Sequence, residues 1–320
     1  MGKEITNSYI EVINELNGAL NNKPDKTISV EGLFEAAMKK VVTIEKKKKD
    51  EKWKKLKNAV SDKNEKNEVH VRSHGRQGTG SEELKKVLKG IFGREFKIDP
   101  TNNLGPKKLI DECCGNNYQD YQISHIFEER TNNPLLFTAP WMLCLCPKLL
   151  DPFTGHETIG FPKLTGRFIE WAYNENKDYI KEYNALILNE KNGYWKKLYD
   201  YKSEETISDK MRDSLIVALS PIILDIEKLN KKNRKKCYLK LFETLFEKKE
   251  KEIINSSDLK ELKKKLLDKC IIDYCSSSPR TLTKIMKEFE VDESYIDLLC
   301  NNKQVLEIIK NKNSIKYKKL

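Results

Sequence analysis

Apolar side chains recur at helical spacing over most of the chain. Ile5, Tyr9, Ile10, Ile13, Leu16 and Leu20 predict a first helix over 5–21. Asn22-Lys23-Pro24-Asp25 ends it. Ser29 is placed to cap a second helix carrying Leu33, Phe34, Ala37, Met38, Val41 and Val42. That helix is expected to run on through Lys46-Lys47-Lys48-Lys49 to Val60, with Trp53 and Leu56 on its apolar edge. The period changes after the polar stretch Ser61 to Asn67. Glu68-Val69-His70-Val71-Arg72 alternates like a short strand, and a Gly-rich loop follows from Ser73 to Gly80. Ser81 starts a helix with Leu84, Val87, Leu88, Ile91 and Phe92. A turn over 102–106 precedes another short helix. Tyr121 to Ser124 reads as a strand ending at His125, and Leu164 to Tyr183 as a helix. From about residue 203 the pattern predicts helices only: Ile207 to Leu229, one opening at Lys231, one capped by Ser257, and two short ones at 281–288 and 292–300.

This alternation of periods predicts an α+β chain, a small ββα core embedded in mainly helical sequence. Three regions follow: 1–67, helical with a Lys-rich segment; 68–202, α+β; and 203–320, helical. At 320 residues the chain is long enough to bury a substantial core. It carries neither a signal-peptide pattern nor an apolar run of spanning length, so a cytoplasmic protein is expected with no membrane partner.

Charge narrows the partners. The formal net charge is +11 and 34% of residues are charged. A basic surface of this kind fits a polyanion, although lysine-rich coding bias accounts for any single run equally well. The Gly-rich loop ahead of the helix at Ser81 is a ready anion site, with Arg72 and Arg76 as donors to a nucleic-acid backbone. It lacks the Gly-Lys-Ser/Thr ending of a nucleotide-binding P-loop. A plain surface connection is the alternative. The tail has helix-turn-helix length, but its second helix holds Asp292, Glu293 and Asp297, so a packing unit is the better expectation.

Two of the four histidines, His125 and His156, lie within one window together with Asn132, Asn133, Lys148 and Asp151. A base, an Asn and a metal ligand inside about thirty residues is what a one-metal phosphodiesterase needs. Asp151 with His156 suits a divalent metal ion, Mg²⁺ first, with Mn²⁺ or Zn²⁺ as alternatives. Lys148 is expected to meet a phosphate oxygen. The eight cysteines include Cys113-Cys114 and Cys144-x-Cys146, which bracket His125. Neither pair has knuckle spacing, so buried small side chains are expected rather than a structural zinc. Trp141 is expected in the core, and Glu128-Glu129-Arg130 in a solvated loop.

Over about residues 118–185 the window Ser124-His125 … Ala139-Pro140-Trp141 … Asp151-Pro152-Phe153-Thr154-Gly155-His156 resembles the HNH, or ββα-metal, nucleases, in particular restriction endonucleases. The resemblance implies that His125 ends one strand as general base, that an Asn opening the second strand braces it, and that a metal ligand follows on a helix. The brace position falls at Met142, which leaves Asn133, Asn132 or a backbone carbonyl to hold His125. The implied function is a metal-dependent deoxyribonuclease acting on double-stranded DNA in restriction or phage defence. A homodimer and a cognate methyltransferase would accompany it. The alternatives are a degenerate nuclease fold that only binds DNA, and a helical RNA-binding protein.

Overall fold

A computed structural model describes residues 29–62, 67–74, 80–101, 103–118, 120–150, 162–189, 193–201, 207–246, 280–281, 306–311 and 314–319. The expected helix over 5–21 lies outside these residues, as does the one capped by Ser257. The architecture is α+β, as the pattern predicts.

Ser29 does cap α1 (Val30–Met38), its Oγ accepting the Gly32 N–H at 2.9 Å. The helix does not continue to Val60. Four β-branched residues, Val41-Val42-Thr43-Ile44, interrupt it, and such side chains favour extended backbone. Val42–Thr43 forms β1, and α2 (Lys46–Ser61) starts afresh. Next come β2 (His70–Val71), α3 (Ser81–Phe92) and β3 (Lys97–Ile98). β2 and β3 pair in parallel, which α3 permits by crossing between them. Gly93, at φ 72°, ends α3 in the left-handed region that favours glycine. Asp99 opens α4 (Leu104–Cys114) by accepting the N–H groups of Leu104 at 3.2 Å and Gly105 at 2.7 Å.

The central sheet has the order β1-β5-β4, with β4 (Tyr121–His125) and β5 (Leu143–Pro147) antiparallel. β5 lies in the middle and is buried on both faces. Leu143 and Leu145 pack with Ile44, Ile110 and Cys113 on one side. Cys144 and Cys146 point into the main core on the other. A strand covered twice reads as a continuous apolar run, which is why alternation is absent there.

The helices after the sheet are α5 (Pro162–Glu175), α6 (Lys177–Leu188), α7 (Tyr194–Asp200), α8 (Asp209–Ala218), α9 (Leu224–Glu227) and α10 (Lys231–Phe246). The single helix expected over 164–183 is two. Asn176 separates them, donating to the Ala172 carbonyl at 2.9 Å and accepting from Lys49 at 3.2 Å. Burial lowers the pKa of Lys49, with nearby acidic groups opposing that shift. Ser220-Pro221 likewise divides the segment expected as one helix over 207–229. Trp141 is core, as expected, with its ring edge-on to Trp53 at 5.5 Å.

The expectation of helices only beyond residue 203 is corrected at 306–311 and 314–319, while the short helices expected over 281–288 and 292–300 lie, but for Thr281, outside the described residues. β6 (Arg280–Thr281), β7 (Leu306–Asn311) and β8 (Ser314–Lys319) form an antiparallel sheet in the order β6-β8-β7. Ser-Ile-Lys-Tyr-Lys-Lys alternates with period two, a strand signal masked by the lysines. No helix among the described residues is long and apolar enough to cross a membrane.

Candidate active site and basic cleft

His125 occupies the last position of β4, opposite Leu143. Its ring is 9% exposed and lies parallel to Phe137. His125 Nε2 is 2.9 Å from the Phe137 carbonyl oxygen. A carbonyl only accepts, so Nε2 carries a proton. The holder of the imidazole is thus a main-chain group from the loop joining β4 to β5. The Ile126 N–H donates to the Met142 carbonyl at 2.9 Å and locks the residue after His125.

The side-chain brace is corrected. Met142 is wholly buried in the main core. Asn133 is also fully buried, but its amide is spent elsewhere: Nδ2 donates to the Tyr183 hydroxyl at 2.8 Å and the Ala218 carbonyl at 2.9 Å, and Oδ1 accepts the Leu135 N–H at 2.9 Å. Asn133 therefore pins the β4–β5 loop to α6 and α8. It does not hold the imidazole.

Lys148 does not join His125. The register puts Pro147 opposite Tyr121, at the far end of the strand pair, and the Lys148 N–H donates to the Asp120 carbonyl at 3.1 Å. Four strand positions separate the two ends, about 13 Å. Asp151, His156 and Arg76 lie outside the described residues. Among the described residues, no group of three or more His, Cys, Asp or Glu side chains is placed to hold a metal ion. Cys113 and the Cys144/Cys146 pair lie on opposite faces of β5. The Cys144 and Cys146 sulfurs are 3.4 Å apart, and this contact together with burial pushes the Cys144 thiol well up.

Glu129 and Arg130 are not in a solvated loop. Arg130 is fully buried and donates to Ser220 Oγ at 2.9 Å, the Pro221 carbonyl at 3.1 Å and the Glu227 carboxylate. Tyr238 donates to that carboxylate at 2.6 Å. Burial alone would raise the Glu227 pKa, but Arg130, Arg234 and the Tyr238 hydroxyl hold it below the ordinary value. Glu129 behaves oppositely. Burial raises its pKa, and Arg234 at 3.6 Å and Lys231 at 3.8 Å only partly offset this.

The structure brings Arg72 to the same loop. Its N–H donates to the Thr131 carbonyl at 3.1 Å, and Asn132 Nδ2 donates to the Arg72 carbonyl at 2.8 Å. The Asn132 amide is thereby oriented, so Oδ1 faces His74 Nδ1 at 3.4 Å and must accept from it. His74 is also fixed by its backbone: its N–H donates to Ser81 Oγ at 3.2 Å and its carbonyl accepts the Gly80 N–H at 3.0 Å. A Cβ at position 80 would approach the His74 ring to 2.8 Å, so only glycine leaves room for it. These groups border a cleft of about 470 Å³, closed on the other side by Lys210 and Ser214 of α8 and Lys231 and Lys235 of α10. Sequence reasoning missed His74 and the three lysines. Their spacing offered one clue: 210 with 214, and 231 with 235, are i and i+4 on their helices.

Comparison with known proteins places this region in a family. A protein from Pasteurella multocida (strain Pm70), described as "Uncharacterized protein PM1201", is 37% identical over 166 residues, 50% of this chain and 74% of that protein. No solved structure matches. The family model described as "Uncharacterised protein PM1201" matches residues 44–235, more than half of the chain and every residue of the cleft. The chain belongs to that family.

Proposed function

We propose that the chain is a metal-dependent DNA endonuclease of the HNH type, with His125 as general base. The observation that supports this most is the placement of His125. It ends the first strand of an antiparallel pair, a loop carbonyl fixes its tautomer, and α5 follows the second strand. In that arrangement His125 Nδ1 takes a proton from the attacking water. The Phe137 carbonyl steadies the imidazolium that forms. Asp151 and His156 offer a carboxylate and an imidazole, a donor pair that fits Mg²⁺, Mn²⁺ or Zn²⁺. The cation would supply charge neutralisation at the scissile phosphate. Restriction or phage defence is the role this chemistry fits, with a dimer for palindromic sites and a methyltransferase as companion.

A second reading has its own support. Met142 has no amide to offer His125 and the Asn133 amide is bonded elsewhere, which fits a nuclease fold kept for binding DNA. Plasmid cleavage separates the two. The enzyme should nick or cut duplex DNA with Mg²⁺ or Mn²⁺, stop with EDTA, and lose about 10²–10⁴ in rate on His125→Ala while still binding DNA. Full activity in His125→Ala would remove His125 from the chemistry. Binding without cleavage in Mg²⁺, Mn²⁺ and Zn²⁺ would favour the second reading.

A further inference from the structure

We infer that the cleft between the β4–β5 loop, the Arg72–His74 segment, α8 and α10 is a phosphate-binding site. This deepens the nucleic-acid reading by assigning backbone contacts to Lys210, Lys231 and Lys235. Four cationic side chains border the cleft: Arg72, Lys210, Lys231 and Lys235. Among the described residues that line it, the one acidic side chain is Glu129. Two independent helices present lysines to the same space, so the cluster is not one helix's solvated stripe.

The existing ion pairs there are weak enough to exchange. Lys231 reaches Glu129 only at 3.8 Å and its side chain is 74% exposed. Lys235 meets Asp213 at 3.0 Å with both side chains more than a third exposed. The Lys235–Asp213 pair, exposed on both sides, holds its lysine weakly, so an arriving phosphate displaces it at little cost. Glu129 Oε2 and Arg234 Nε face each other at 3.6 Å, too far for a hydrogen bond. His74 also lines the cleft, with Nδ1 committed to Asn132. The volume suits a phosphate with its sugar rather than a bare ion alone.

The cleft and His125 share a scaffold. Glu129, Thr131 and Asn132 belong to the loop that begins one residue after His125 and whose Phe137 carbonyl holds that ring. A strand seated on the lysines would therefore be gripped by the same loop that carries the proposed base. The assignment does not require that base to work.

Binding is measured in EDTA, where cleavage plays no part, by anisotropy of a labelled DNA duplex over a range of salt. The triple variant Lys210→Ala/Lys231→Ala/Lys235→Ala is compared with Lys46→Ala/Lys47→Ala/Lys54→Ala, three exposed lysines of α2 with the same loss of charge. The cleft variant should bind at least tenfold more weakly, and its slope of log affinity against log salt should fall by about two to three. The α2 variant should stay near the parent. Equal weakening in both would mean total charge alone matters, and would overturn the site; so would no change in the cleft variant. A second arm titrates AMP and inorganic phosphate as competitors. Displacement by AMP at micromolar levels, lost in the cleft variant, would identify a free nucleotide as the phosphate's source. Displacement by neither, with the duplex effect intact, identifies the polynucleotide backbone. Loss of duplex, AMP and phosphate binding by the unaltered protein would overturn the inference. Matching melting temperatures confirm that all variants are folded. Failure of plasmid cleavage would leave these binding results unaffected.

Discussion

Single residues on the β4–β5 loop differ sharply in what burial does to them. Asn133 has its three amide bonds satisfied, so burying it costs little. Glu129 has only distant cations, so burial raises its pKa. The sign follows from the cycle of protonation and folding. A raised folded pKa means the neutral form is favoured in the native state, and this contribution is complete below the ordinary value of 4.5. It is lost as pH rises through the folded value. At neutral pH the ionised Glu129 therefore weighs against the fold. Glu129→Gln should melt higher than the parent at pH 7, with the gap closing near pH 4. A variant that melts lower at pH 7 would show that the pairs with Arg234 and Lys231 outweigh desolvation. His125 and Met142 make a related contrast. The sequence located the histidine correctly at a strand end, because Tyr-Gln-Ile-Ser reads as a strand from its own propensities. The partner of its ring was a main-chain carbonyl twelve residues on, and no residue type encodes that.

At the scale of elements, one buried ion pair joins the turn after β4 to the C-terminal helices. Arg130 in the turn Glu128–Arg130 meets Glu227 of α9, and Tyr238 and Arg234 of α10 complete the group. Removing Arg130 leaves the buried Glu227 carboxylate with only Arg234 at 3.5 Å and the Tyr238 hydroxyl, and loss of one partner of a buried pair costs about 3–5 kcal/mol. Arg130→Met should accordingly lower stability by that amount in urea titration. Arg130→Met with Glu227→Leu should recover most of it, because a well-packed apolar pair replaces the ionic one. If the double variant is as unstable as the single, Arg130 acts through its bonds to Ser220 and Pro221 instead. Nothing in Glu128-Glu129-Arg130 announces this pair, because its composition is that of a surface loop. The helix starts were more legible. Ser29 caps through its side-chain oxygen, a local interaction that the residue type announces.

Among the described residues one large apolar cluster spans the hairpin loop and helices from α1 to α10, and a smaller one lies against α4. The C-terminal edge of the large cluster lies beyond the segment shared with the family. Trp195 of α7 is fully buried under Phe242 at 5.3 Å and Phe246 at 6.1 Å, both on the second half of α10. Loss of a buried aromatic costs about 3–5 kcal/mol, and Tyr238, which supports Glu227, would go with it. A chain ended at 235 should melt about 10 °C or more below one ended at 250. Trp195 fluorescence should shift to the red in step. Coincident melting of the two chains would show that the core closes without the second half of α10.

What the sequence by itself determined is local. The period of apolar residues placed α3, α10 and the strand ending at His125, because those patterns depend on neighbours three, four or two positions away. It also fixed the α+β class and Trp141 as core. Interruptions were harder: the helix expected from Ser29 to Val60 broke where β1 found an edge on β5, a partner about a hundred residues distant. Only the tertiary structure decided which side of β5 each cysteine faces, that Arg130 lies inside, and that Asn133 serves the loop rather than the imidazole. It alone brought His74, Arg72 and three lysines around one cleft. Those outcomes depend on which surfaces meet after the chain has folded back on itself, and a linear pattern carries no record of such long-range contacts.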